Sequence, residues 1–195
     1  MSRLLLNVCA VVFALIPTFV CAQENDKVKL SQGMLLRVWS DVSSTAQTMG
    51  SQPAHAGVVD LGANFESERL FKIPQLAPAL RGARSSYSGV EWSGYMKIDK
   101  PGKYVMTVTL VGVWSRSRLY VTLAGNRVLT IAERKSDNTV KNQTLNLEAG
   151  YYPVSFLVVQ SCEYVNVMSF SVKVRPANEL DSEPMQVTDF YYRKK

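Results

Sequence analysis

The chain has 195 residues, a net charge of +6, one histidine and three cysteines. That length suits one domain with a self-sufficient apolar core, and so few His and Cys residues exclude a zinc centre of the usual ligand set. The positive charge favours acidic partners such as anionic glycans or membrane surfaces, but nucleic acid is not expected, because no dense basic run precedes Arg193-Lys194-Lys195 and no recognition motif is present.

The first element is a leader. Met1-Ser2-Arg3 is a short basic start, residues 4–20 are almost wholly apolar, and Val20-Cys21-Ala22 offers small residues where a signal peptidase reads. Residues 1–22 are therefore expected to be a signal peptide, and residues 23–195 a single exported domain. The apolar run is short for a transmembrane helix and is broken by Pro17, and no later run could span a membrane. Val20 stands where lipid attachment requires a small residue, so no lipid anchor is expected at Cys21. The expected location is periplasmic, cell-surface or extracellular, in a bacterial style of export.

Cys9 and Cys21 fall in the leader, which leaves Cys162 alone in the exported chain. Two readings stay open for it: a small buried hydrophobe, or an intermolecular disulfide to a partner.

Residues 23–32 are polar and expected to be loose. Residues 33–40 (GMLLRVWS) read as a first strand, and residues 43–56 as a long polar loop. Residues 65–78 are mixed, with Phe71, Ile73 and Leu76 as anchors. From Val90 the alternation becomes strict. Val90, Trp92, Met96 and Ile98 share one face, and Glu91, Ser93, Tyr95 and Lys97 the other. Gly94 lies on the apolar face, at a point of close approach. Residues 99–103 form a turn around Pro101-Gly102. Tyr104, Met106, Val108 and Leu110 then make the next apolar face.

Residues 119–123 and 127–131 form a hairpin about Ala124-Gly125-Asn126. Residues 132–142 read as polar loop. Leu145 and Leu147 precede a turn at Glu148-Ala149-Gly150. Tyr152, Val154, Phe156 and Val158 form one further buried face, and Met168, Phe170, Val172 and Val174 another, ended by Pro176. The tail supplies a last strand through Val187, Phe190 and Tyr192. With many short strands and no amphipathic helix after the leader, the expected fold is all-β, an antiparallel β-sandwich.

Four segments carry a resemblance. They are Glu91-Trp92-Ser93-Gly94-Tyr95-Met96-Lys97, Lys100-Pro101-Gly102-Lys103-Tyr104, Ser117-Arg118-Leu119-Tyr120-Val121 and Leu147-Glu148-Ala149-Gly150-Tyr151-Tyr152-Pro153. In this order and spacing they resemble the protective-antigen-type domain, a β-sandwich module of bacterial toxins, glycosidases and fungal or bacterial adhesins. Residues 33–39 are similar to its first strand, and Asp189-Phe190-Tyr191-Tyr192 to its closing one. The resemblance implies that fold across nearly all of residues 23–195, with Trp92 and Tyr104 filling its core. In its calcium-dependent adhesins, two adjacent aspartates and a glycine precede the Ser-Arg-Leu-Tyr segment. Here those positions read Trp114-Ser115-Arg116, which give no carboxylate oxygen to a hard cation. Neither a metal nor any other cofactor is therefore expected.

Trp114, Arg116 and Arg118 are the candidate binding residues, because Trp and Arg dominate binding hot spots. The plainer alternative packs the ring on the sandwich edge and leaves the arginines solvated. His55, expected in a polar loop, has no partner set for Ser-His-Asp catalysis or zinc. Glu66 and Glu68 share a face if extended, but a small sandwich rarely provides the cleft that a carboxylate pair needs. No enzymatic activity is expected. Asn142-Gln143-Thr144 fits a glycosylation sequon, which a bacterial-style leader makes incidental. Two functions remain: an adhesin-like or carbohydrate-binding domain facing a surface glycan, or a structural accessory of a pilus, conjugation or secretion apparatus facing a protein partner of a cell-surface assembly.

Overall fold

The computed structural model describes residues 29–42, 53, 55–59, 65–66, 87–112, 118–132, 139–161, 168–185 and 189–193. Among them run β1 (Leu30–Gln32), β2 (Met34–Val42), β3 (His55–Val59), β4 (Phe65–Glu66), β5 (Tyr87–Ile98) and β6 (Gly102–Gly112). They continue with β7 (Arg118–Leu123), β8 (Asn126–Ala132), β9 (Thr139–Leu147), β10 (Gly150–Ser161), β11 (Met168–Pro176) and β12 (Phe190–Arg193). The strands form an eight-stranded sheet in the order β1-β12-β5-β10-β7-β8, with β2 also on β5 and β3 on β2, and a four-stranded sheet in the order β4-β11-β6-β9. Every pairing is antiparallel.

The alternation read from Val90 onward builds the core. Val90, Trp92, Met96 and Ile98 of β5 are buried with Tyr152, Val154, Phe156 and Val158 of β10. Across the sandwich they meet Met106, Val108 and Leu110 of β6 and Phe170 and Val172 of β11. Phe170 joins the two sheets. Its ring packs edge-on to Trp92 at 5.3 Å and tilted against Phe156 at 5.5 Å. Tyr104, expected in the core, is only half-buried and packs against its margin. Its hydroxyl is donated to the Lys100 carbonyl at 2.7 Å, so it fastens the Pro101 turn instead of filling the interior.

Polar segments expected as loops are partly strand. β9 begins at Thr139, and its first half is largely exposed because the backbone alone pairs with β6. β3 begins at His55, inside the expected loop, and β1 occupies the segment expected to be loose. The hairpin turn is tight: Ala124 and Gly125 have φ of 48° and 80°, the left-handed pair of a two-residue turn. The Ala124 N–H donates to the Pro153 carbonyl at 2.7 Å, which ties the turn to β10.

At the Glu148-Ala149-Gly150 turn, the buried Tyr152 reaches back. Its hydroxyl accepts the Glu148 N–H at 2.7 Å and donates to the Glu148 carbonyl at 3.1 Å. Tyr152→Phe keeps the ring but leaves that N–H without this partner. It should cost about 1–3 kcal/mol, read as a lower urea midpoint at an unchanged denaturant slope. An unchanged midpoint would show that water replaces the hydroxyl at no cost.

β2 and β12 share one edge of β5. β2 pairs with residues from Tyr87 to Ser93, and β12 with Tyr95 and Met96. Gly94 sits at the changeover. A Cβ there would lie 2.7 Å from the Tyr191 carbonyl oxygen, which confirms the close approach expected of this glycine and identifies the neighbour as backbone. Gly33, with φ of 116°, turns the chain from β1 into β2, and its N–H donates to the Phe190 carbonyl at 2.8 Å.

Candidate functional site

The outward face of the large sheet carries a depression, and strand register explains it. Leu35 on β2 lies opposite Ser93 on β5, Ser93 opposite Ser155 on β10, and Ser155 opposite Thr122 on β7. These residues alternate with the buried Leu36, Trp92, Phe156 and Val121, so they point away from the core. On one side of them stand Arg37, Glu91, Leu157 and Tyr120, and on the other Tyr95, Pro153 and Tyr191. Short side chains between taller ones leave a trough of about 300 Å³, with Arg37, Ser93, Tyr95, Thr122, Ser155 and Arg193 among its lining.

Arginines stand around it. The Arg37 Nη1 donates to Glu91 Oε2 at 3.1 Å, and 42% of the Arg37 side chain stays exposed against 15% for Glu91. The Arg193 guanidinium lies 5.5 Å above the Tyr95 ring, and that of Arg127 lies 4.3 Å above the Tyr120 ring. Such cation–π contacts hold a charged group at a ring without neutralising it. Beyond Tyr95, Tyr151 and Tyr191 pack edge-to-face at 5.4 Å. Lys97 is bonded to Asp99 at 2.7 Å, and that hydrogen bond and charge hold its pKa above the usual lysine range.

Farther along the same face the sheet is closed. Trp39, Val42, Tyr120, Leu157 and Val159 form a second buried apolar cluster, with Tyr87 packed against it.

Of the sequence-predicted binding residues, Trp114 and Arg116 lie outside the described residues, as does Cys162. Arg118 is the first residue of β7, half-buried, opposite Ala132 and Val159. It stands on the outward-facing series of Tyr120 and Thr122, at the strand's far end from the trough. In the large sheet Arg118 pairs with Val159 and Ser161 with Tyr87, and in the small sheet Met168 pairs with Gly112. His55 is in β3 opposite Val38, not in a loop. Glu66 is on β4 opposite Ser169, and Glu68 lies outside the described residues. Among the described residues, no three His, Cys, Asp or Glu side chains gather as a metal site would need.

Sequence reasoning missed the trough. Arg193 is readable only as part of a basic tail, Arg37 only within the first strand, and Ser93 only as a position on the face opposite the apolar one. The signal available was chemical: serine and threonine at outward positions of adjacent core strands, where longer side chains are the norm.

No family model matches this sequence, and no curated protein matches it. Solved structures do match its fold. The PA14 domain of the MpAFP antifreeze protein matches with a TM-score of 0.57 at 12% identity, over 88% of this chain and 96% of that one. The Epithelial Adhesin 6 A domain from Candida glabrata, in complex with Galb1-3GlcNAc, matches with a TM-score of 0.55 at 13% identity, over 89% of this chain and 92% of that one. The PA14 sugar-binding domain from an RTX adhesin matches with a TM-score of 0.53 at 11% identity, over 84% of this chain and 99% of that one. At such identities the likeness is one of fold, and the fold of this chain is PA14-like.

Proposed function

We propose that this PA14-like sandwich is an exported, non-catalytic recognition domain that binds carbohydrate at the bacterial cell surface in the manner of an adhesin. One observation carries the reading. The fold is shared almost end to end with two domains described by their sugars, the sugar-binding domain of an RTX adhesin and an epithelial adhesin domain in complex with Galb1-3GlcNAc. The leader expected over residues 1–22 supports export.

The test is a glycan array probed with the protein purified after export. Binding to a defined set of glycans is the expected result. In the loop reading, Trp114→Ala should weaken that binding by about 2 kcal/mol or more, as hot spots do, at an unchanged melting temperature. Equal losses of binding and stability would make Trp114 a packing residue. Silence across the array, with a protein partner recovered instead, would overturn the carbohydrate reading in favour of an accessory role in a pilus or secretion apparatus.

A further inference from the structure

We propose that the trough on the outward face of the large sheet is a binding site for an anionic glycan, a chain bearing carboxylate or sulfate groups. This deepens the carbohydrate reading and rests on it. It places the site on the outward sheet face, on residues other than Trp114 and Arg116.

The floor comes first. Ser93, Ser155 and Thr122 present three hydroxyls on three adjacent strands, and neighbouring strands lie about 4.8 Å apart. Each hydroxyl both donates and accepts, as the hydroxyls of a sugar do. Leu35 completes the row beside Ser93, and hydroxyls set beside apolar carbon suit a sugar, which presents both. The backbone beneath is already paired: β5 with β2 and β10, and β10 with β5 and β7. An extended peptide could therefore add no main-chain ladder here, and the side chains must do the recognising.

Charge then selects among sugars. Arg37 and Arg193 line the trough and no acidic side chain does. Glu91 is the nearest carboxylate along the register, and Arg37 holds it. A guanidinium has five N–H donors, so the ion pair through one nitrogen leaves Arg37 donors for a ligand. Arg193 is held over the Tyr95 ring by a cation–π contact. Arg127 adds positive charge at the end of the same row, opposite Thr122. Guanidinium forks match carboxylate and sulfate oxygens in pairs, and a volume of about 300 Å³ lies at the lower end of ligand-site volumes, enough for a short stretch of sugar chain.

The test uses the full exported protein with polygalacturonate and heparin as probes. The neutral controls are fully methyl-esterified polygalacturonate and desulfated heparin. At least one charged polymer should bind, its neutral form should bind about tenfold or more weakly, and rising salt should weaken the charged complex. Ser155→Phe fills the trough from a half-exposed position, and Arg193→Gln removes one charge at its exposed lip. Each should weaken binding about tenfold at an unchanged melting temperature. Equal binding of charged and neutral forms would overturn the proposal. So would binding that survives both trough variants yet falls with Trp114→Ala, an outcome that leaves the carbohydrate reading standing. If neither charged polymer binds while the array shows neutral ligands, the anionic site alone falls. If nothing binds in either experiment, both readings fall.

Discussion

Trp92→Ala should lower the unfolding free energy by about 3–5 kcal/mol, the range for a large aromatic lost from a packed core. The ring is 3% exposed and lies edge-on to Phe170 of the opposite sheet at 5.3 Å. Within its own sheet it lies between Leu36 and Phe156 in register. Its removal thus opens a void bounded by both layers, which neither can close without shifting a strand. Domains of this size hold a total of about 5–15 kcal/mol, so the loss is a large share. Guanidinium titration should show the midpoint falling steeply with the slope retained. A loss below about 1 kcal/mol would place the ring where water replaces its contacts.

Gly94→Ala should destabilise by about 1–3 kcal/mol, although alanine is the smallest side chain that can be added. The new Cβ would lie 2.7 Å from the Tyr191 carbonyl oxygen and 3.5 Å from Met34 Cγ and Cε. The methionine can swing aside, but the carbonyl belongs to β12 and cannot move without disturbing the Tyr191–Tyr95 pairing. Gly102→Ala is the matched control. Its Cβ would come no nearer than 3.9 Å to Tyr104, an ordinary contact, and the change should stay within about 0.5 kcal/mol. Equal effects at the two positions would mean that the cost lies in glycine itself and not in the crossing at β12.

Side-chain alternation made the sandwich legible. From Val90 to Val174 the apolar series of β5, β6, β10 and β11 is nearly strict, and most of the residues it picks out are buried, with Tyr104 and Val174 half-buried at the margin. The misreadings have one physical cause. β1, β3 and the first half of β9 are held by backbone pairing to a neighbour, and their side chains report little of that. Tyr104 shows a second limit, because a ring on an apolar series can still stop at the margin when its hydroxyl finds a carbonyl. The run Leu157-Val158-Val159 hinted that β10 is covered on both faces, as the second cluster shows. The trough was illegible for another reason. Leu35, Ser93, Thr122 and Ser155 come from separate segments, and only the inter-strand register brings them into one row. Trp114 and Arg116 were legible as chemistry, but lie outside the described residues.

The pairing of β1 with β12 governs when this molecule can be finished. Leu30 is partnered by Arg193, and the Gly33 N–H by the Phe190 carbonyl. One end of the β5 edge is therefore completed by residues near the end of the sequence. A growing chain that has made β5, β10 and β7 still has an open margin beside Tyr95 and Met96. Ladders that join distant segments must meet the entropy of closing a long loop before any contact rewards it, and they form slowly. The large sheet is thus complete only when Leu30–Gln32 and Phe190–Arg193 have met, so its margin beside Tyr95 and Met96 closes late in folding.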